Sequence, residues 1–408
     1  MKAKQLIIAI ILIYITGVLH AQTLPLDSVL ARVAANPALQ AYNAKAKAQD
    51  AYATGAKSLD APKLSAGQYQ VPYQFSPSGG SFMIQAEQMF TNPAKLRAKE
   101  DYLKGQSKVT AADKDYLKNQ LFAQAKQYYY ERAVLEKKLA LLQQTQSLLE
   151  YMLKDANIRL TYGKERLPNI YKAKAELFEL DNTREELRNQ ISQKNILLNT
   201  LMNRDKTTSF AVDTAVSQKD YQSAVTDTAA LANNRSDIKG INRNIDLQRL
   251  SAQMEYSKRK PDFGVQAAHM ISYGGYANQY ILMASITIPI VPWASKEYKA
   301  NLKGIRYETE ELQQKREDIL NQTAGMLAGI KTELGSKKRQ IDNYQHNIIP
   351  ALQNGYKTAL QAYEQNTGDL PSVLISIKDL QTARMTALDR TQELLTLQVA
   401  YEKENENH

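Results

Sequence analysis

The chain has 408 residues, a formal charge of +10 and no cysteine. Without thiols there are no disulfides, no thiolate chemistry and no lipid anchor on an N-terminal cysteine. The basic residues are scattered along helical stretches beside acids, as in Glu136-Lys137-Lys138, rather than clustered with aromatics. Nucleic acid is therefore excluded as a partner.

Met1 to Ala21 reads as an export signal. Lys2 and Lys4 precede an apolar run from Leu6 to Leu19, and His20-Ala21-Gln22 offers a small residue for cleavage. The run is short for a membrane span and no stop-transfer flank follows it. The mature chain is expected outside the cytoplasm, starting near Gln22.

From about Leu26 to Asp60 an alanine-rich helix is predicted, ended by Pro62. Period-two alternation follows. Tyr69, Val71, Tyr73 and Phe75 fall on one side, and Gln68, Gln70 and Gln74 on the other. After the turn Ser76-Pro77-Ser78-Gly79-Gly80-Ser81, a second strand sets Phe82, Ile84, Ala86 and Phe90 against Gln85 and Glu87. A helix of about 67 residues, roughly 100 Å long, then runs from Pro93 to a turn at Tyr162-Gly163-Lys164-Glu165. Its apolar positions recur every seven residues: Leu121, Tyr128, Leu135, Leu142, Leu149 and Ala156, with Leu139, Leu153 and Leu160 alongside. That period belongs to a coiled coil. A helical return follows from Pro168 to Asn203.

The second half repeats this order. A helix from about Asp227 to Lys260 stops at Pro261. One strand carries Phe263, Val265, Ala267, Ile271 and Tyr273 on one face, and the next carries Tyr280, Leu282, Ala284, Ile286, Ile288 and Ile290. Another run of about 70 residues starts near Trp293, with a kink expected at Pro350. Leu167-Pro168-Asn169-Ile170 reappears as Leu370-Pro371-Ser372-Val373, and Gly163 falls opposite Asn366, at a constant offset of 203 residues. Gly and Asn best tolerate left-handed backbone, so a tight turn is duplicated here. The expected organisation is a signal (1–21), a first repeat (22–204) with hairpin 63–90, a linker (205–223) at mid-height, a second repeat (224–404) with hairpin 263–290, and a polar tail (405–408).

Strands that are oily on one face only resemble outer-membrane strands. Tyr69, Val71, Ile84, Val265, Leu282 and Ile286 are the expected lipid-facing positions. Four strands cannot close a barrel, and an open edge is not tolerated in lipid, so copies must share one. Three copies give twelve strands. Met83, Met89, Met270 and Met283 fall on the opposite face, where they either fill irregular space or offer soft thioether contacts to a metal such as Cu(I). No metal, cofactor or catalytic constellation is assigned. His20, His269, His346 and His408 form no pair with ligand spacing, and no nucleophile elbow or phosphate-cradling loop occurs.

With these features together, the sequence resembles the TolC-like outer-membrane factor family of efflux channels. The most specific stretch is Tyr344 to Leu380, with Ile349-Pro350, Tyr363, the second turn and Leu370 to Ser376. Ile288-Pro289-Ile290-Val291-Pro292-Trp293 through Lys296-Glu297-Tyr298-Lys299-Ala300 resembles the cation-efflux branch. The resemblance implies a mainly α fold with a small β part: a homotrimer whose twelve-stranded barrel in outer-membrane lipid continues into a coiled-coil α-barrel in the periplasm. It also implies a periplasmic membrane-fusion adaptor and an inner-membrane pump, RND-type favoured, as partners. The adaptor-docking turns would be Tyr162, Gly163, Lys164 and Leu167 with Asn366, Thr367, Gly368 and Leu370. Some members close the tip with aspartates six and nine residues after the second turn glycine. Here those positions are Ser372 and Ile375, leaving Tyr363, Asp369 and Ser372 as candidate gate residues. Metal-ion or drug efflux is the leading function. A type I protein-secretion channel and a non-channel periplasmic coiled-coil scaffold are the alternatives; an exported enzyme lacks site residues.

Overall fold

The computed structural model describes residues 23–74, 79–215, 219–221 and 228–406. The export signal, Phe75 with Ser76-Pro77-Ser78, parts of the linker and His408 lie outside the described residues. The elements in order are β1 (Thr23–Leu24), α1 (Leu26–Val33), α2 (Pro37–Gly55), β2 (Lys63–Tyr69), β3 (Ser81–Phe90), α3 (Pro93–Thr161) and α4 (Leu167–Leu201). Then come β4 (Ala211–Val212), α5 (Thr228–Asn234), α6 (Ser236–Ser257), β5 (Phe263–Ser272), β6 (Gln279–Ile286), α7 (Pro292–Asn343), a π-turn (Tyr344–Ile348), α8 (Ile349–Glu364) and α9 (Leu370–Asn405). The described residues divide into two compact units. One comprises the chain up to Leu39 with Leu117–Asn234 and the residues from Gln322 on; the other comprises Gln40–Tyr116 and Arg235–Asn321.

The first unit is built on the heptad row. Leu135, Leu142, Leu149 and Ala156 of α3 are buried against Ala173, Leu180 and Leu187 of α4 and against Val373 and Ile377 of α9. Leu139, Leu153 and Leu160 pack beside them. A second cluster joins Val29 and Val33 of α1 to Tyr129 of α3 and Leu198 of α4. The linker contributes to it: β4 pairs in parallel with β1, and Phe210 and Val212 are buried there. The Tyr129 hydroxyl donates to the Leu24 carbonyl at 3.0 Å and accepts from the Asp213 amide at 2.8 Å. Arg132 and Arg204 sandwich the Phe210 ring, at 4.4 and 4.5 Å from its centroid.

Farther along the linker, Lys219 and Tyr221 reach Glu402 of α9, which also takes Lys126 of α3 at 2.5 Å. Burial pushes the Glu402 carboxyl up, but hydrogen bonds from Lys126, Lys219 and Tyr221 outweigh it and hold the group down at about 2. For the described part of this polar linker, α3 and α9 supply the partners of its polar groups.

Three helices differ from the sequence expectation. The first breaks at Asn36-Pro37, because Pro37 has no amide to continue the ladder and Asn36 caps the new helix, accepting from the Ala38 amide at 2.9 Å. It then ends at Gly55, short of Asp60. The second repeat breaks at the matching place, Arg235, between α5 and α6. Before Pro350 the backbone adopts a π-turn over Tyr344–Ile348, which re-spaces the carbonyls that a proline in α8 would otherwise strand.

The second unit holds one four-stranded antiparallel sheet in the order β2-β3-β5-β6. The two hairpins join through β3 and β5, from Ser81 opposite Ser272 to Phe90 opposite Phe263. The outer edges of β2 and β6 have no strand beside them among the described residues.

Candidate docking turns and membrane face

The two helical turns close with the same pair of backbone bonds. In the first, the Lys164 amide donates to the Arg159 carbonyl at 2.9 Å and the Gly163 amide to Leu160 at 3.0 Å. In the second, Thr367 donates to Ala362 at 2.8 Å and Asn366 to Tyr363 at 3.1 Å. This Schellman arrangement requires left-handed backbone at the residue after the helix. Gly163 has φ 67° and Asn366 φ 59°. Gly368 is fixed by space instead, since a Cβ there would sit 3.0 Å from the Ala362 Cβ. Asp369 then caps α9, accepting from the Ser372 amide at 3.1 Å and from its hydroxyl. Those two bonds hold its carboxyl below the usual range.

Between the turns lies a residue that sequence reasoning missed. Arg159 donates through Nη1 to the Tyr363 carbonyl at 3.0 Å and to Asn366 Oδ1 at 2.9 Å, while Nε pairs with Asp155 at 2.7 Å. Its guanidinium lies 4.3 Å from the Tyr363 ring centroid. The Tyr363 ring is buried, and its hydroxyl has no hydrogen bond of ordinary geometry. Burial first, then the carboxylates of Glu165 and Asp155, hold that phenol well above the ordinary tyrosine value. A signal for this lay in the duplication: at the offset of 203, Arg159-Leu160 stands opposite Ala362-Tyr363. One turn supplies the cation and the other the ring.

Together these groups line a polar cleft of about 410 Å³ that includes Lys164, Glu165, Arg166 and Asp369. Tyr162, Gly163, Lys164, Asn366, Thr367 and Gly368 are exposed, and Leu167 is 48% exposed. Leu370 is 0% exposed. It is therefore corrected from a docking position to a core position: as the first residue of α9, it seats in the cluster with Tyr363 and Val373. Ser372 is exposed and bound to its cap.

In the sheet, the pairing sorts every residue to one of two faces. Leu64, Ala66, Phe82, Ile84, Ala86, Phe90, Phe263, Val265, Ala267, Ile271, Leu282, Ala284 and Ile286 share one face, with His269, Tyr280, Gln88 and also Gln68, expected on the polar side, among them. Ile84, Val265, Leu282 and Ile286 are exposed there. Two expected positions are corrected. Tyr69 pairs with Ser81 and so lies on the opposite face, with Met83 and Gln85. Val71 lies beyond the strand, because β2 ends at Tyr69 and Gln70 turns away at φ 55°. The face of β2 is set by Leu64 and Ala66, upstream of the alternation that the glutamines marked. Met83 pairs directly with Met270 on the polar face, Met283 lies there opposite Gln266, and Met89 packs over Gly264. A Cβ on Gly264 would come 2.6 Å from Met89 Sδ. Among the described residues there is no cluster of His, Cys, Asp and Glu able to hold a metal ion.

Solved structures match this arrangement along nearly the whole chain. The outer-membrane channel OprN matches with TM-score 0.76 at 13% identity, covering 94% of this chain and 90% of that one. The outer membrane protein VceC of Vibrio cholerae matches with TM-score 0.73 at 15% identity, covering 93% and 95%. CusC, described in connection with transmembrane channel formation, matches with TM-score 0.76 at 14% identity, covering 93% and 91%. The chain has the outer-membrane channel fold. No family model and no curated protein sequence matches it. In this channel fold the two helical turns and the one-sided sheet are the features whose surface chemistry is unaccounted for by the packing of a single chain.

Proposed function

We propose that the protein is the outer-membrane channel of a tripartite efflux system, a passive exit duct and not an enzyme. The observation that carries this reading is the sheet. One face is apolar and exposed from Phe82 to Ile286, while both edge strands are unpaired among the described residues. Lipid accepts the face but not the edges, since unpaired amides and carbonyls in hydrocarbon are not tolerated. Three copies joined edge to edge, β6 of one beside β2 of the next, make a twelve-stranded barrel with the apolar face outward and the methionine face inward. The coiled-coil unit then extends into the periplasm. Its exposed turns suit docking to a helical hairpin of an adaptor, which links the duct to an inner-membrane pump of RND type. Metal ions or drugs are the favoured cargo. CusC, CmeC of Campylobacter jejuni and MtrE of Neisseria gonorrhoeae share the fold at 13–14% identity, and two of these are named as outer membrane channels.

Native mass measurement of the detergent-purified protein tests the reading. A trimer is expected. A folded monomer, stable in water without detergent, would overturn both barrel and duct.

A further inference from the structure

The exposed apolar surface does not stop where the ladder ends. Phe90 pairs with Phe263, and Phe263 with Ile286, at the last register of the sheet. All three are exposed, and so are Ile288, Ile290 and Trp293 in the seven residues that follow β6, with Trp293 79% exposed. One helical turn on from Trp293, on the same side of α7, stands exposed Lys296. On α6, exposed Tyr256 carries the Arg259 guanidinium 3.8 Å from its ring centroid, and exposed Lys260 follows. Arg97, one turn into α3, is exposed as well.

Of the acids at this boundary, Asp262 is already engaged. It takes Lys95 at 2.6 Å and the Asn92 amide at 2.8 Å. Glu297 is the acid nearest in sequence to Lys296, and Arg97, Lys260 and Lys296 make no ion pair among the described residues. Exposed aromatic rings with excess positive charge, set where an apolar face ends, are the pattern of a membrane–water boundary. Indole and phenol rings favour the headgroup level, and lysine stems lie along apolar surface while their ammonium groups reach phosphate. Beyond the neighbours joined at β2 and β6 in the barrel, a further copy is a poor occupant, because it would bring the same positive charges against these.

We propose that this end of the sheet seats anionic phospholipid headgroups of the phosphatidylglycerol class, with Trp293 and Tyr256 in the boundary layer and Arg97, Arg259, Lys260 and Lys296 on the phosphates. The proposal rests on the sheet being a membrane element. Its test uses the full-length protein in phosphatidylethanolamine vesicles with and without phosphatidylglycerol, followed by mild detergent extraction and native mass measurement of retained lipid. Phosphatidylglycerol is expected to be enriched about threefold or more over the vesicle composition, with the enrichment shrinking as salt is raised. The combined variant Arg97→Gln, Lys260→Gln and Lys296→Gln should return it to the vesicle ratio. Insertion without enrichment, enrichment indifferent to salt, or enrichment unchanged in the variant would overturn the headgroup proposal and leave the channel reading standing. Failure to enter vesicles of either composition would overturn both.

Discussion

The Arg159 guanidinium lies over the Tyr363 ring at 4.3 Å, and so fastens the first helical turn to the second. It also donates to the Tyr363 carbonyl, which closes the second turn, and to Asn366 Oδ1. A cation held over a buried ring is worth roughly 0.5–2 kcal/mol. A double-mutant cycle with Arg159→Ala and Tyr363→Leu, read by hydrogen exchange at the amides of 362–368, should return a coupling in that range. The sheet should be unaffected. Additive effects of the two changes would mean that the contact carries no energy.

At the turns themselves, Gly163→Val and Asn366→Val place a β-branched residue at positive φ, at a cost of roughly 1–2 kcal/mol each. Asn366→Gly should be tolerated. Both valine variants are expected to keep trimer yield and lose export, together with adaptor crosslinking at Lys164 and Thr367. Normal crosslinking and export in both would move docking away from the turns. Lost trimer would show that the turns serve assembly.

How much of this was legible beforehand differs between the two units. The heptad row, the offset of 203 and the Gly163–Asn366 equivalence are covalent patterns, and periodicity reads them directly. Leu370 was misread because repeat equivalence with Leu167 is not equivalence of burial: α9 lies in the core where α4 begins at the surface. Tyr69 and Val71 were misread because the first strand's alternation was counted from its glutamines. Its true register follows from pairing with β3, which only the folded sheet supplies. Arg159 escaped for a similar reason, since its partner is 204 residues away.

For the sheet, Ile84→Arg or Ile286→Arg puts a charge on the apolar face and should impair assembly by roughly 2–4 kcal/mol near the bilayer midplane. Gln85→Arg, on the opposite face, should assemble normally. Trimer yield in the membrane fraction is the measurement. Equal damage from both kinds of change would contradict the assignment of faces.

Glu402 gives a pH signature. Its folded value, about 2, lies below the ordinary glutamate value of 4.5, so the carboxylate's contribution is complete above about 4.5 and is lost as pH falls towards 2. Linkage makes this on the order of 3 kcal/mol. Thermal unfolding midpoints measured from pH 5 down to 2 should fall, and Glu402→Gln should flatten that fall while lowering the midpoint at pH 7. An unchanged slope in the variant would assign the acid sensitivity elsewhere.

The central claim, that the open sheet closes with other copies of itself, can be tested by disulfide crosslinking, because the chain has no cysteine of its own. Ser65 of β2 and Ser285 of β6 lie on the same face of the sheet at its two open edges. Ser65→Cys with Ser285→Cys, and Gly67→Cys or Met283→Cys as partners for a shifted register, should give dimers and then closed trimers on oxidation in the membrane. A monomer linked within its own chain, or no link in any register, would contradict the shared barrel.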